Sequence, residues 1–219
     1  MAMPWLTCTS VLAVLFSLSG VTAPPGGANP ILTRSPLVPL ERASAADPAL
    51  GRPSPPEIQS ILKSKGEGYD VVHSVAYVRA PLTEVLSALK DPSVLVARKL
   101  VNSWSFEKSS EDSIRISHVA KKLITVNFDT TWKFSILEGS TEAPKAILVR
   151  GSKTAGTSYI RLLEDSIVAR DIGGGVTRLE FVRHQNIVSA GGDEAEEYLR
   201  DVFSRLKARV HGEPLPPVK

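Results

Sequence analysis

"AYVRAPLTEVLSALKDPS", residues 76–93, decides the fold class. An alternating run reaches Pro81 and becomes a helical pattern with no loop between. Proline has no N–H to give a ladder, and its fixed φ suits the first turn of a helix. Leu82, Val85, Leu86 and Leu89 then recur at i, i+3, i+4 and i+7, one apolar stripe. Asp91-Pro92 ends this helix, because the residue before a proline is pushed out of the α region. A second short helical turn is predicted over 93–98. What sits in the corner between strand and helix is the question the rest of the chain answers.

Upstream, the alternation over 69–78 predicts a strand, and Ile58, Ile61 and Leu62 predict a short helix over 57–65. Downstream the pattern is β. Ile124, Val126, Phe128, Thr130, Trp132, Phe134 and Ile136 alternate with Thr125, Asn127, Asp129, Thr131, Lys133 and Ser135. Strict period two over this length means one buried and one wet face, on a strand that must curve. Further strands are predicted over 101–107, 113–119, 145–150, 159–169 and 176–188. The separators "KSSED", "EGSTEAP", "KTAGT" and "DIGGG" are turn signals, short enough for an antiparallel meander. The last element is a helix over 193–210. Ala195, Tyr198, Leu199, Val202, Phe203, Leu206 and Val210 form its stripe. Acidic residues crowd its start and basic residues its end, as the helix dipole favours.

The 219 residues suit one domain with accessories. Twenty-six basic and 23 acidic side chains leave a net charge of +3. That is too little to point to nucleic acid, and no Lys/Arg cluster is interleaved with aromatics. Lys121-Lys122 reads as a solvated turn. The first charged side chain is Arg34, and residues 5–23 are apolar or small, with Val21 and Ala23 at −3 and −1 of a cleavage site. The expectation is a signal peptide over 1–23 and export to the periplasm or beyond the cell, a retained anchor being the alternative. Residues 24–56 have the composition of a Pro/Ala/Gly-rich linker. The folded domain is expected over 57–212 and a flexible tail over 213–219. Cys8, the one cysteine, lies in the leader, so the domain has no disulfide, thiol nucleophile or thiolate metal site.

The order of strand, two helices, a strand meander and one long helix resembles the START-like helix-grip superfamily, also described as Bet v 1-like or polyketide cyclase/dehydrase-like (SRPBCC). "VAYVRAPLTEVLSALKDPS" resembles that group's opening strand and helix, "GGGVTRLEFVRHQNI" its final hairpin strand, and "DEAEEYLRDVFSRLKARV" its closing helix. The likeness covers roughly residues 67–211. It departs at "DPSVLVARKL", which lacks the Trp and Pro common in many members. The resemblance implies an α+β fold: a curved antiparallel sheet gripping the long C-terminal helix, two short helices after the first strand, and a ligand cavity between sheet and helix. The two short helices would plug the corner opened at Pro81.

If the even face of the long strand is concave, Phe128, Trp132 and Phe134 look into that cavity. By pattern Trp104, Phe106, Ile116 and His118 join them, with Phe181 and Arg183 from the last strand and Tyr198 and Phe203 from the helix. Aromatic walls with a few polar anchors are what an apolar ligand needs; the plain alternative for each is a place in the core. Arg183, Gln185 and His118 are the polar candidates. His73, His118, His184 and His211 show no metal-ligand spacing, no G-x-S-x-G occurs, and "DIGGGVTR" reads as a hairpin turn. No cofactor, metal or catalytic residue is assigned. A carboxylate pair could still form in three dimensions from Glu84, Asp129, Glu164 or Asp165.

The expected function is an exported, non-catalytic domain that binds a hydrophobic small molecule or lipid, with peripheral membrane association and no nucleic-acid partner. The alternative is a polyketide cyclase/dehydrase-like enzyme using the same cavity, with His118, Arg183 or Tyr198 transferring protons.

Overall fold

The computed structural model describes residues 35–38, 44–49, 52, 55–121, 124–188 and 190–217. The expected signal peptide and Lys122 lie outside them. Strands β1 (Gln59–Lys65) and β2 (Asp70–Val78) precede helices α1 (Leu82–Leu89) and α2 (Pro92–Leu95). Strands β3 (Ser103–Ser110), β4 (Ser113–Lys121), β5 (Thr125–Gly139), β6 (Pro144–Gly156), β7 (Ile160–Asp171) and β8 (Thr177–Ile187) follow, and α3 (Gly192–Val210) closes the domain. The strands form one antiparallel sheet in the order β1-β2-β8-β7-β6-β5-β4-β3. It is a curved, open sheet followed by the C-terminal helix, the α+β arrangement expected. Register shifts between β5 and β6 at Asp129/Thr130 and near Glu138 supply bulges, which bend long strands.

Pro81 caps α1 in an extended conformation, and Asp91 serves two elements. It follows α1 and accepts the Ser93 N–H at 2.9 Å, with Pro92 opening α2. The second helical turn therefore begins a residue earlier than the sequence pattern suggests and ends at Leu95.

The segment over 57–65 corrects the predicted helix. Gln59–Lys65 is an edge strand, paired with β2 from Gln59↔Ala76 to Lys65↔Asp70. Two turns of isolated helix cannot repay their nucleation, whereas β2 offers a ready ladder. The two short helices accordingly follow the second strand, not the first.

Residues Val72, Ala76 and Val78 of β2 and Leu179 and Phe181 of β8 point toward α3, which returns Ala195, Tyr198, Leu199, Val202, Phe203 and Leu206. Leu82, Val85, Leu89, Val94 and Leu95 of α1 and α2 join the same core. α3 packs over β1, β2 and β8 and against both short helices. The inner face of β4, β5 and β7 is left less covered by it, and there the cavity lies.

The β7–β8 hairpin turns at Gly173, Gly174 and Gly175, all with φ between +63° and +85°. Three successive left-handed residues are accessible only to glycine at low cost. The turn sets the register that builds the polar end of the site.

Candidate functional site

A cavity of about 580 Å³ lies under α3, between the inner sheet face and the 95–101 segment. It falls within the ~300–1,000 Å³ usual for small-molecule sites. Phe128, Trp132, Leu163, Ile160 and Ile187 form apolar walls, and Leu95, Ala97 and Leu100 close the side beneath α2. Trp132 stays in place because it lies over Gly151, where a Cβ would come within 2.7 Å of the ring.

Two polar groups interrupt this lining. In the first, Arg183, only 3 % exposed, donates from Nε to Gln185 Oε1 (3.0 Å) and from Nη1 to Asp165 Oδ1 (3.2 Å). Its Cζ stands 3.9 Å from the centroid of the Tyr198 ring. Gln185 is held in turn by donating to Gly191 O at 2.8 Å, and the Tyr198 hydroxyl donates to Leu95 O at 2.8 Å. Among the described residues, Arg183 Nη2 has no hydrogen-bond partner. Burial pushes the Asp165 carboxyl upward, while Arg183 and Arg150 pull it the other way. Burial raises the Tyr198 phenol well above its ordinary value, and the Asp165 charge adds to the effect.

In the second, His118 Nε2 lies 2.9 Å from Thr130 Oγ1, which also accepts from Trp132 Nε1 at 3.2 Å. The imidazole stacks on Phe128 at 4.5 Å and 10°. Burial lowers its pKa to about 4, with Arg183 acting in the same direction and Asp129 opposing. His118 is therefore neutral at pH 7.

Of the residues singled out by sequence, His118, Phe128, Trp132, Arg183 and Tyr198 are brought together on the cavity wall. Ile116, Phe134, Phe181 and Phe203 take places in the core instead. Trp104 and Phe106 are corrected outright: they are 37 % and 57 % exposed on β3. Their parity is right, since they oppose His118 and Ile116. But β3 is the sheet's edge, and among the described residues no further strand lies beyond it. Asp165, weighed as a carboxylate but not placed in the site, belongs to it. Asp165 and Arg183 are equidistant from Gly174, so counting outward from the glycine turn pairs them. That register was the available signal.

No family model and no curated protein matches the chain. Among solved structures, a STAR-related lipid transfer protein from Xanthomonas axonopodis superposes with a TM-score of 0.52 at 12 % identity, over 77 % of this chain and 98 % of that one. Human StAR-related lipid transfer protein 5 gives 0.49 at 11 % identity, over 70 % and 82 %. A Zhui aromatase/cyclase from Streptomyces gives 0.40 at 14 % identity, over 65 % and 91 %. At these identities the likeness concerns fold alone, and of the three the Xanthomonas protein is the one similar enough to establish it. The sheet, the two corner helices and the clasped α3 agree with that likeness, and the chain has the START-like helix-grip fold.

Proposed function

We propose that this domain binds a hydrophobic small molecule or lipid in the cavity and does so without catalysing a reaction. The observation that carries the reading is a 580 Å³ apolar cavity lined by Arg183, whose Nη2 has no hydrogen-bond partner among the described residues. Burial of apolar ligand surface would supply the affinity, at roughly 25 cal/mol per Å² removed from water. Arg183 would supply orientation. Its charge is already matched by Asp165, so a neutral acceptor such as a hydroxyl, ketone or ester oxygen suits Nη2 better than a second carboxylate. A lipid cargo also agrees with the name of the Xanthomonas protein that shares the fold.

The enzymatic alternative has less support. Tyr198 is committed to Leu95 O and Asp165 to Arg183, while His118 engages Thr130 through Nε2 and its buried Nδ1 has no partner among the described residues. A general base works best with a pKa near the operating pH, and that of His118 lies far below.

Export, directed by residues 1–23, is part of the same proposal, since it would bring the domain to membranes, where such ligands reside. The test is native mass spectrometry of the protein purified from its own host. A co-purifying lipid-sized mass that is lost in a cavity-filling Leu163→Trp variant supports the reading. A bare protein that also takes up no apolar probe overturns it.

A further inference from the structure

Among the described residues β3 is the bare edge of the sheet, and all eight of its residues are exposed. The opposite edge, β1, is flanked by α3. On the inner face β3 presents Trp104, Phe106 and Lys108, which stand opposite His118, Ile116 and Ile114. The Trp104 and Phe106 rings lie 6.3 Å apart. Ser105 and Glu107 occupy the outer face. A strand edge left open in this way is a template for a further strand.

A groove of about 360 Å³ lies at the C-terminal end of the same strand and shares no lining residue with the ligand cavity. Ile114 and Phe134, both buried, form its floor. Phe106 and Lys108 border it on β3, and Lys90 and Pro92 close it from the α1–α2 corner. Lys90 is held there by Asp112 at 3.2 Å, with its ammonium 5.6 Å from the Phe134 centroid. The strand thus carries an exposed indole two residues before Phe106 and a hole beside Lys108, two residues after it.

A two-fold axis normal to the sheet keeps both inner faces on one side and lets one patch meet its own copy. Antiparallel pairing then depends on where the axis passes. Through Glu107 it sets two carboxylates directly opposite each other, and through Lys108 two ammonium groups; like charges so placed are destabilising. Through Ser105 it pairs Trp104 with the partner's Phe106 and leaves the groove empty. Through Phe106 it sets Trp104 against the partner's Lys108, at the groove, and Ser105 against the partner's Glu107. No like charges then meet, and each ammonium lies beside an indole. Lys108 and the bulge that follows it discourage other strands from adding here.

We infer that β3 joins two copies of this chain, paired antiparallel about Phe106, with the Trp104 ring of each seated in the other's groove. The assembly is closed, because the axis uses β3 of both copies. It stands whatever the ligand cavity holds. One strand pair and two rings make an interface below the ~1,200 Å² of stable complexes, so the association is reversible.

Sedimentation velocity of the full chain between about 1 and about 300 µM spans the affinities expected of so small an interface. A monomer–dimer equilibrium is expected. Trp104→Ser should weaken it at least tenfold. Ser105→Glu, which opposes the partner's Glu107 in both halves of the dimer, should do the same. Ser105→Lys should tighten it several-fold by meeting that carboxylate. Both positions are exposed, so the fold is kept, which far-ultraviolet circular dichroism checks. If Ser105→Lys weakens the dimer, the axis passes through Ser105 and the inference falls. It falls equally if any of the three variants leaves the dimer unchanged, as one held by the run 5–23 would be. Growth beyond two copies overturns it, and so does a monomer throughout, the result expected if another segment or another protein covers this edge.

Discussion

Asp165 and Arg183 stand directly opposite each other on β7 and β8, both almost fully buried, with Nη1 3.2 Å from Oδ1. Each ion is tolerable inside only because of the other. Arg183→Met leaves a buried carboxylate without its counter-ion and is expected to destabilise the domain by about 3–5 kcal/mol. Asp165→Leu should cost a similar amount. The double variant Arg183→Met/Asp165→Leu should recover most of the loss, because both desolvation terms vanish together. Urea unfolding of the four proteins measures the coupling, and independent, additive losses would refute it. Ligand orientation is expected to stay lost in the double variant even where stability returns.

His118 makes stability depend on pH in a defined window. Its folded pKa is about 4 against an ordinary 6.5. Between those values the unfolded chain binds more protons than the folded one, so stability falls as pH drops from 6.5 toward 4. The full effect is on the order of 3 kcal/mol. Glu180 behaves differently. A hydrogen bond from His73, helped by Arg178, holds it at about 2, so its contribution is present above 4.5 and lost as pH falls toward 2. His118→Phe should make the stability curve shallower between pH 6.5 and 4, where the half-buried His184 leaves a residual slope of the same sign, while leaving the lower limb. An unchanged upper limb would show that His118 is protonated in the folded state.

The long β5 strand and the α3 stripe were legible in sequence because each has one wet face, and a wet face writes a period. β1 was not, because Ile58, Ile61 and Leu62 fit a helical spacing that only pairing with β2 overrides. Trp104 and Phe106 show a different limit. Alternation assigns them a face, but it does not say that β3 is an edge. The contacts of residues 44–49 with the sheet were hidden for a third reason: Asp47 and Ala49 carry no periodic signal, and the Asp47 partners Tyr77 and Arg178 lie far along the chain. The cavity's polar end lay between these cases, since the glycine turn fixes a hairpin register that pairs Asp165 with Arg183.

Gly151 provides a way to fill the cavity from behind. A Cβ at this position would sit 2.7 Å from the Trp132 ring, so the ring must move. Gly151→Val is expected to push Trp132 into the ligand space at a cost of about 1–3 kcal/mol. Affinity for an apolar probe should drop at least tenfold, with a shifted tryptophan emission. Unaltered probe affinity in a folded Gly151→Val protein would place the ligand elsewhere.

Arg205 governs the side of the cavity under α2. It is fully buried, donates to Ser93 O at 2.6 Å and pairs with Asp201 at 3.0 Å. The Tyr198 hydroxyl holds Leu95 O in the next turn of the same link. Together these bonds tie the short α2 helix, too short to persist alone, to α3. Arg205→Leu removes the tie to Ser93 and leaves that carbonyl without its partner, a loss of about 1–3 kcal/mol. Because Leu95 lines the cavity, loosening α2 should speed ligand exchange as well as lower stability. Hydrogen exchange over 92–101 should rise by at least tenfold, well beyond the change in β6 and β7. A uniform rise across the sheet would mean that Arg205 supports the core as a whole and does not act on the wall of the site.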